Sequence, residues 1–363
     1  MITFIYSTCR IYPKIEWFLD SLYNQAGELS YPITSIQIVI VDFQLQNDPS
    51  RKQLFSEKVK DRFDYVHVEP KPSPWQGKYK LTQKDYFCAG SARNTGVCYA
   101  KYNYLVFVDD LSVMSPNLLG FIINSCNTNK TVAYGYKKVF NLNVEDGNIV
   151  TLTEHPAGID SRWNLGPTAN ISGSNFFGYI SIPLKTILDV NGYDEICNSL
   201  GGEDYNLGMR LEKNNVNLLY IRNSFYYETE NIDQNDVTFC RIDPLLSQDE
   251  YNFLMKKYNI TERIVPDGRN DLTHLTLDML KRNKTWTEGN NYNLRELRTS
   301  IQNGGSFNNI FSNELKTIDG VYLTELDTNS VRHLDIQPDY VPPPPVVKKT
   351  NNTKFFWNKK STK

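Results

Sequence analysis

No stretch of the 363-residue chain approaches the roughly 20 consecutive apolar residues that a membrane-crossing helix needs. A spanning segment is therefore not expected. The opening residues run straight into a short apolar strand, without the charged and then apolar regions of a signal peptide. Neither sign of charge is in excess: the net charge is −2, so electrostatic capture by nucleic acid or a membrane surface has no basis. Its six cysteines (Cys9, Cys88, Cys98, Cys126, Cys197, Cys240) include no Cys-x-x-Cys pair to suggest zinc. Free thiols in a reducing compartment are expected instead, which points to the cytoplasm. A composition rich in Asn, Tyr, Ile and Lys suits an AT-rich genome, bacterial or viral; in the viral case the compartment is the host cytoplasm. Histidine is scarce, with only His67, His155, His274 and His333. No internal repeat is present.

What is there allows a sizeable core, since 40% of the residues are hydrophobic and 13% aromatic. Residues 2–8 read as a buried strand ending in hydroxyls, followed by Cys9 and Arg10. Ile15, Phe18, Leu19 and Leu22 then recur at helical spacing. A β-branched run, residues 36–41, ends at Asp42, and a polar helix and a short strand at 65–68 follow. Strands alternating with helices imply a parallel sheet, which binds ligands at the carboxyl ends of its strands. Ser7, Thr8, Arg10 and Asp42 all fall at such ends.

Beyond a Pro-, Lys- and Gln-rich loop (69–84), the small residues Ala92, Gly96 and Ala100 recur every four positions. They form a face that lets a helix approach a sheet closely, with Arg93 and Asn94 off that face. An apolar strand, residues 104–108, ends in the paired acids Asp109 and Asp110. Residues 131–153 read as a strand and hairpin turning at 145–148, and 154–172 as a polar loop holding Trp163. The most informative stretch is Gly201-Gly202-Glu203-Asp204, with Leu207 and Leu211 four apart behind it. It puts two carboxylates in the first turn of a helix, where the dipole favours their charged form. The run Asn191-Gly192-Tyr193-Asp194-Glu195 precedes it.

Together, the strand-end residues, Ala92-Arg93-Asn94-Thr95-Gly96, Asp109-Asp110 and Gly-Gly-Glu-Asp resemble, in that order, the motifs of glycosyltransferases with the GT-A fold, especially family 2. The resemblance covers residues 1–235. It implies an α/β fold: a Rossmann-like nucleotide-binding sheet with helices on both faces, plus a C-terminal accessory region. Its implied reaction moves a hexose from a nucleotide sugar, in the first place a UDP-sugar, to a hydroxyl of a glycan or glycosylated acceptor with inversion. Asp204 would be the base and Glu203 would orient acceptor or donor. Ser7, Thr8, Arg10, Asp42, Arg93 and Asp109 would hold the nucleotide, with Asp42 reading the uracil base and Arg93 near the diphosphate. Asp110, supported by Asp109, would hold Mn²⁺ or Mg²⁺ as hard oxygen ligands. Gly201, Gly202, Asn175 and Trp163 would face sugar or acceptor.

Two departures from the family pattern stand out. Leu111 takes the third place of the usual Asp-x-Asp, and no histidine sits where the family has a further metal ligand, so Glu228 is the candidate substitute. A non-catalytic glycan- or nucleotide-binding protein on a decayed fold is one alternative, and a nucleotidyltransferase another. Residues 236–340 are expected to form a partly helical accessory region, with loops at 286–340. Residues 341–363, with four consecutive prolines and several lysines, are expected to be a disordered tail.

Overall fold

A computed structural model describes residues 1–45, 47–71, 88–195, 202–229 and 292–307. Most of the accessory region at 236–340, the tail at 341–363, Gly201 and most of the 69–84 loop lie outside the described residues.

Four strands pair in parallel: β1 (Ile2–Thr8), β2 (Ile36–Asp42), β3 (Asp64–Val68) and β4 (Tyr104–Asp109). Their order is β3-β2-β1-β4, and the sheet continues through β9 (Ile180–Pro183), β6 (Thr131–Glu145), β10 (Leu218–Thr229) and β5 (Ser112–Met114). The short β9 runs antiparallel between β4 and β6, whereas β6 and β10 are parallel. β7 (Asn148–Ile159) forms the expected hairpin with β6, and β8 (Thr168–Asn170) pairs with β10. The segment read as a polar loop at 154–172 therefore contains the end of one strand and the whole of another. Its polar residues sit on a hairpin that leaves much of its surface in water, where strand side chains need not be apolar.

Side-chain alternation along the central strands feeds two cores. Ile2, Phe4, Tyr6, Ile36, Ile38 and Ile40 face helices α1 (Ile15–Glu28), α2 (Arg51–Val59) and α4 (Leu118–Asn127). On the opposite side, Ile5, Val39, Val41, Leu105 and Phe107 meet α3 (Ala89–Tyr99), α5 (Leu184–Asp189) and α6 (Glu203–Lys213). Both faces are thus covered, as a parallel sheet requires. A Cβ at Gly96 would overlap the Ile5 side chain, so the small-residue face of α3 does allow the close approach. α3 is buried on more than that face, however: Arg93 and Asn94 are inside as well.

Helix α7 (Leu294–Gln302) falls in a stretch expected to be loops. Leu294, Leu297 and Ile301 are buried in the same core as α3 and α6. Each such apolar side chain contributes about 1.5–3 kcal/mol on burial. Asn293 caps the helix, accepting from the Arg295 and Glu296 amides at 3.0 and 3.3 Å, and its amide donates to Glu296 at 3.0 Å. The chain beyond residue 235 therefore contributes this helix to the core of residues 1–229.

Cys9 is disulfide-bonded while Cys88, Cys98 and Cys126 are free, which departs from the expectation of free thiols throughout. Among the described residues no helix is long and apolar enough to cross a membrane.

Candidate active site

Gly202 caps α6 at φ 95°, a left-handed conformation that glycine adopts without strain, and so turns the chain into the helix. Leu207 and Leu211 bury the inner face of α6. Gly208 lets the helix touch the 3-10 turn Gly173–Asn175, because a Cβ there would collide with the Gly173 carbonyl oxygen. Arg210 anchors the same face, donating to Asn206 at 2.7 Å and to the Gly192 carbonyl at 2.6 Å. The first turn is thereby held in place, with Glu203 and Asp204 on it as expected.

Arg93 organises the centre of the site. Its Nη1 donates to Glu203 Oε1 at 2.8 Å and Asp204 Oδ1 at 2.9 Å, and its Nη2 to Asp109 Oδ1 at 3.2 Å. Only 6% of the Arg93 side chain is exposed, against 8% for Glu203, 17% for Asp204 and 46% for Asp109. Arg93 is therefore not solvated: it bridges the strand-end acid and the helix-start acids. Burial disfavours its charge, but Asp204 and the neighbouring acids more than offset this and raise its pKa.

Asp204 Oδ2 accepts the Gly178 backbone N–H at 3.0 Å. Burial pushes the Asp204 carboxyl up to about 7; Arg93 opposes the shift, Glu203 adds to it, the Gly178 N–H opposes it, and Asp109 adds to it. The helix start alone was expected to favour the charged form, but desolvation outweighs it. A carboxyl that titrates near neutrality is well matched to base catalysis. Glu203 Oε2 is buried and has no hydrogen-bond partner among the described residues.

The loop that presents Gly178 is fixed by Arg162, which is 1% exposed and paired with Asp160 at 2.7 Å. Arg162 Nη1 donates to the carbonyls of Asn175 and Phe177 at 2.9 and 3.0 Å, just before Gly178. Asn175 spends its amide on Ser172 Oγ at 3.1 Å. Trp163 lies half-buried beside Phe225, with ring centroids 5.5 Å apart.

At the strand ends, Thr8 Oγ1 donates to Asp110 Oδ2 at 3.0 Å, and Arg10 Nε stands 3.1 Å from the same oxygen. Burial raises the Asp110 carboxyl pKa, with Arg10 and Thr8 working against the shift. The buried Ser7 Oγ has no partner among the described residues. Glu228, the candidate substitute ligand, accepts from Tyr179 at 2.6 Å and lies 3.5 Å from Lys138. Among the described residues no three His, Cys, Asp or Glu side chains converge as a metal cage. The donor set still suits one kind of site. Asp109 Oδ2 and Asp110 Oδ1 are outside the hydrogen bonds and ion pairs described, and Mg²⁺-type ions are often held by one or two carboxylates together with substrate phosphates.

Asp42 lies at the end of β2 among side-chain partners. Arg51 Nε and His67 Nε2 meet Oδ2 at 2.7 and 3.2 Å, while Arg51 Nη2 and the Gln44 amide meet Oδ1 at 3.1 and 3.0 Å. Both oxygens thus have two partners, and the residue is fully buried. Burial alone would raise its pKa, but His67 and Arg51 outweigh it and hold the carboxylate below its usual range. Asp42 is thus firmly anchored by Arg51, His67 and the Gln44 amide.

No protein-family model matches the chain, and neither does any curated protein. Solved structures resemble it. S. aureus TarS 1-349 aligns at 16% identity and TM-score 0.44, over 63% of this chain and 60% of that one. S. aureus TarS 1-349 in complex with UDP-GlcNAc aligns at 12% identity and TM-score 0.45, over 78% and 70%. GalNAc-T7 with UDP, GalNAc and Mn²⁺ aligns at 12% identity and TM-score 0.45, over 89% and 58%. The chain spans about three fifths of the length of the first TarS structure.

A second buried cluster, not foreseen from the sequence, adjoins this site. Asn94 clamps the segment ahead of α6, accepting from the Tyr193 amide at 2.9 Å and donating to the Tyr193 carbonyl at 2.8 Å. Its Nδ2 also reaches Glu195 Oε1 at 2.8 Å and Tyr292 Oη at 3.0 Å. Lys71 pairs with Glu195 and lies 4.7 Å from the Tyr292 ring centroid. Local spacing could not reveal this cluster, whose members come from four distant parts of the chain. Helix α7 did leave a local signal: Asn293-x-x-Glu296 is a capping box, followed by apolar residues at helical spacing.

Proposed function

We propose that the chain is a glycosyltransferase that moves a hexose from a nucleotide sugar, in the first place a UDP-sugar, to an acceptor hydroxyl with inversion. The observation that carries this is the Arg93 bridge, which gathers Asp109 at a strand end with Glu203 and Asp204 at a helix start. Asp204 removes the acceptor proton as the acceptor oxygen forms its bond to the anomeric carbon. The bond from that carbon to phosphate oxygen breaks on the opposite side, and its electron pair leaves with the nucleoside diphosphate. One step inverts the centre, and no covalent intermediate forms. Gly178 and Arg93 hold the Asp204 carboxylate in place for this, and the unpaired Glu203 Oε2 accepts a sugar hydroxyl.

Asp109 and Asp110 would hold Mn²⁺ or Mg²⁺ together with the diphosphate, where the ion supplies Lewis-acid stabilisation of the departing charge. Ser7, Thr8 and Arg10 border the nucleotide, with Arg10 already beside Asp110. Turnover of a panel of nucleotide sugars by wild type and Asp204→Asn tests the reading. Release of nucleoside diphosphate that depends on Asp204 supports it. A protein that binds no nucleotide sugar, or an Asn variant as active as wild type, overturns it.

A further inference from the structure

β6 and β10 carry a cluster of aromatic and cationic side chains on one face. Phe225 lies opposite Gly135 and Tyr227 opposite Lys137, two steps apart on the same face. Gly135 leaves room there for the Trp163 ring, 3.6 Å from where its Cβ would be. The Trp163 and Phe225 rings meet edge to face, with centroids 5.5 Å apart, and Phe225 meets Tyr227 at 4.9 Å. Two cations border this surface. Lys137 Nζ stands 4.8, 5.2 and 5.9 Å from the centroids of Phe225, Trp163 and Tyr227. Arg222 Cζ stands 5.6 Å from the Trp163 centroid, and its Nη1 donates to the Trp163 carbonyl at 2.8 Å. All five residues are partly exposed.

Arg93, Arg162, Arg51 and Lys138 each pair with a carboxylate, whereas neither Lys137 nor Arg222 does among the described residues. Cation–π contacts compensate part of that charge, but they leave the outward N–H donors available to an anion. The surface also borders the reacting centre through the Trp163 segment. Gly178 binds Asp204. Arg162, next to Trp163, fixes the carbonyls just before Gly178.

We infer that Trp163, Phe225, Tyr227, Lys137 and Arg222 form an extended acceptor subsite for an anionic glycan, a saccharide carrying phosphate, sulfate or carboxylate groups. The inference rests on the glycosyltransferase reading. Aromatic faces take the C–H face of a sugar ring, while the two cations pair with its anionic groups. The reacting centre itself holds four carboxylates beside Arg10 and Arg93, so it has few cations to spare for an anionic acceptor. An adjoining cationic surface lets such a chain approach with its charged groups held to one side.

The test is binding of the full chain to immobilised dextran sulfate and to immobilised dextran at physiological salt. Dextran sulfate should bind and dextran should bind at least about tenfold more weakly, a difference of about 1.4 kcal/mol. Lys137→Ala, Arg222→Ala and Trp163→Ala should each weaken dextran sulfate binding, while Lys101→Ala, at an exposed lysine elsewhere, should not. Calorimetric titration with UDP on every variant reports separately on the fold and on the nucleotide site. Where Trp163→Ala does not fold, Trp163→Phe replaces it and should bind close to wild type. Equal binding to both polymers, binding to neither, or binding that survives the Lys137 and Arg222 changes overturns the inference. Failure of wild type to bind UDP overturns the glycosyltransferase reading instead.

Discussion

The Arg93 guanidinium stands 2.9 Å from the Asp204 carboxylate, although the two residues are 111 positions apart in the chain. The contact couples the helix delivered by the small-residue motif to the one that follows the glycine pair. Asp204→Asn keeps the shape of the side chain but cannot take a proton at neutral pH. Turnover should fall by about 10²–10⁴-fold, with nucleotide-sugar affinity close to wild type. Steady-state kinetics beside calorimetry separates the two, and an active Asn variant would remove Asp204 from the base role.

Asp204 titrates near 7, so kcat/KM should rise with pH through a limb near that value. Glu203 contributes to the upward shift, and Glu203→Gln should therefore move the limb to lower pH. The native carboxyl also holds its proton between about pH 4 and 7, where an unfolded aspartate has released it. Its contribution to stability thus declines as pH rises across that window, and Asp204→Asn should flatten the decline in melting temperature. A limb unmoved by Glu203→Gln would mean that another group sets it.

Arg93→Met leaves Glu203 and Asp204 buried without their shared cation. Breaking a buried pair in this way costs about 3–5 kcal/mol, so urea unfolding should shift to much lower denaturant. Arg93→Lys keeps the charge but loses the planar fork, and its stability should fall between the two. Unchanged stability in both would show that the bridge is not formed in solution.

Asp110→Ala removes one of the two strand-end carboxylates and the partner of Arg10. UDP affinity should drop more with Mn²⁺ present than with chelator, as calorimetric titration can show. Equal losses under both conditions would take Asp110 out of the metal site.

Leu297→Ala in α7 should cost about 2–5 kcal/mol of stability, the usual range for a buried leucine. Ending the chain at residue 235 should be more damaging, since it removes Tyr292, Leu294, Leu297 and Ile301 from the core together. Thermal melting of both variants is the measurement. A shortened chain as stable as wild type would place α7 outside the folding unit.

The sequence by itself determined the parallel strands, the helix starting at Glu203 and the glycine that turns into it. Each depends on periodicity or backbone freedom within a few residues, which local composition records. It also held the capping box of α7, although polar neighbours masked it. Tertiary structure alone decided that Arg93 bridges three acids, that Asp42 is saturated by Arg51 and His67, and that Asp204 titrates near 7. These properties depend on which distant groups the sheet order β1-β4-β9-β6 brings together and on how far water is excluded there. A carboxylate's neighbours and burial set its proton affinity and its partners, and a residue's place in the chain specifies neither.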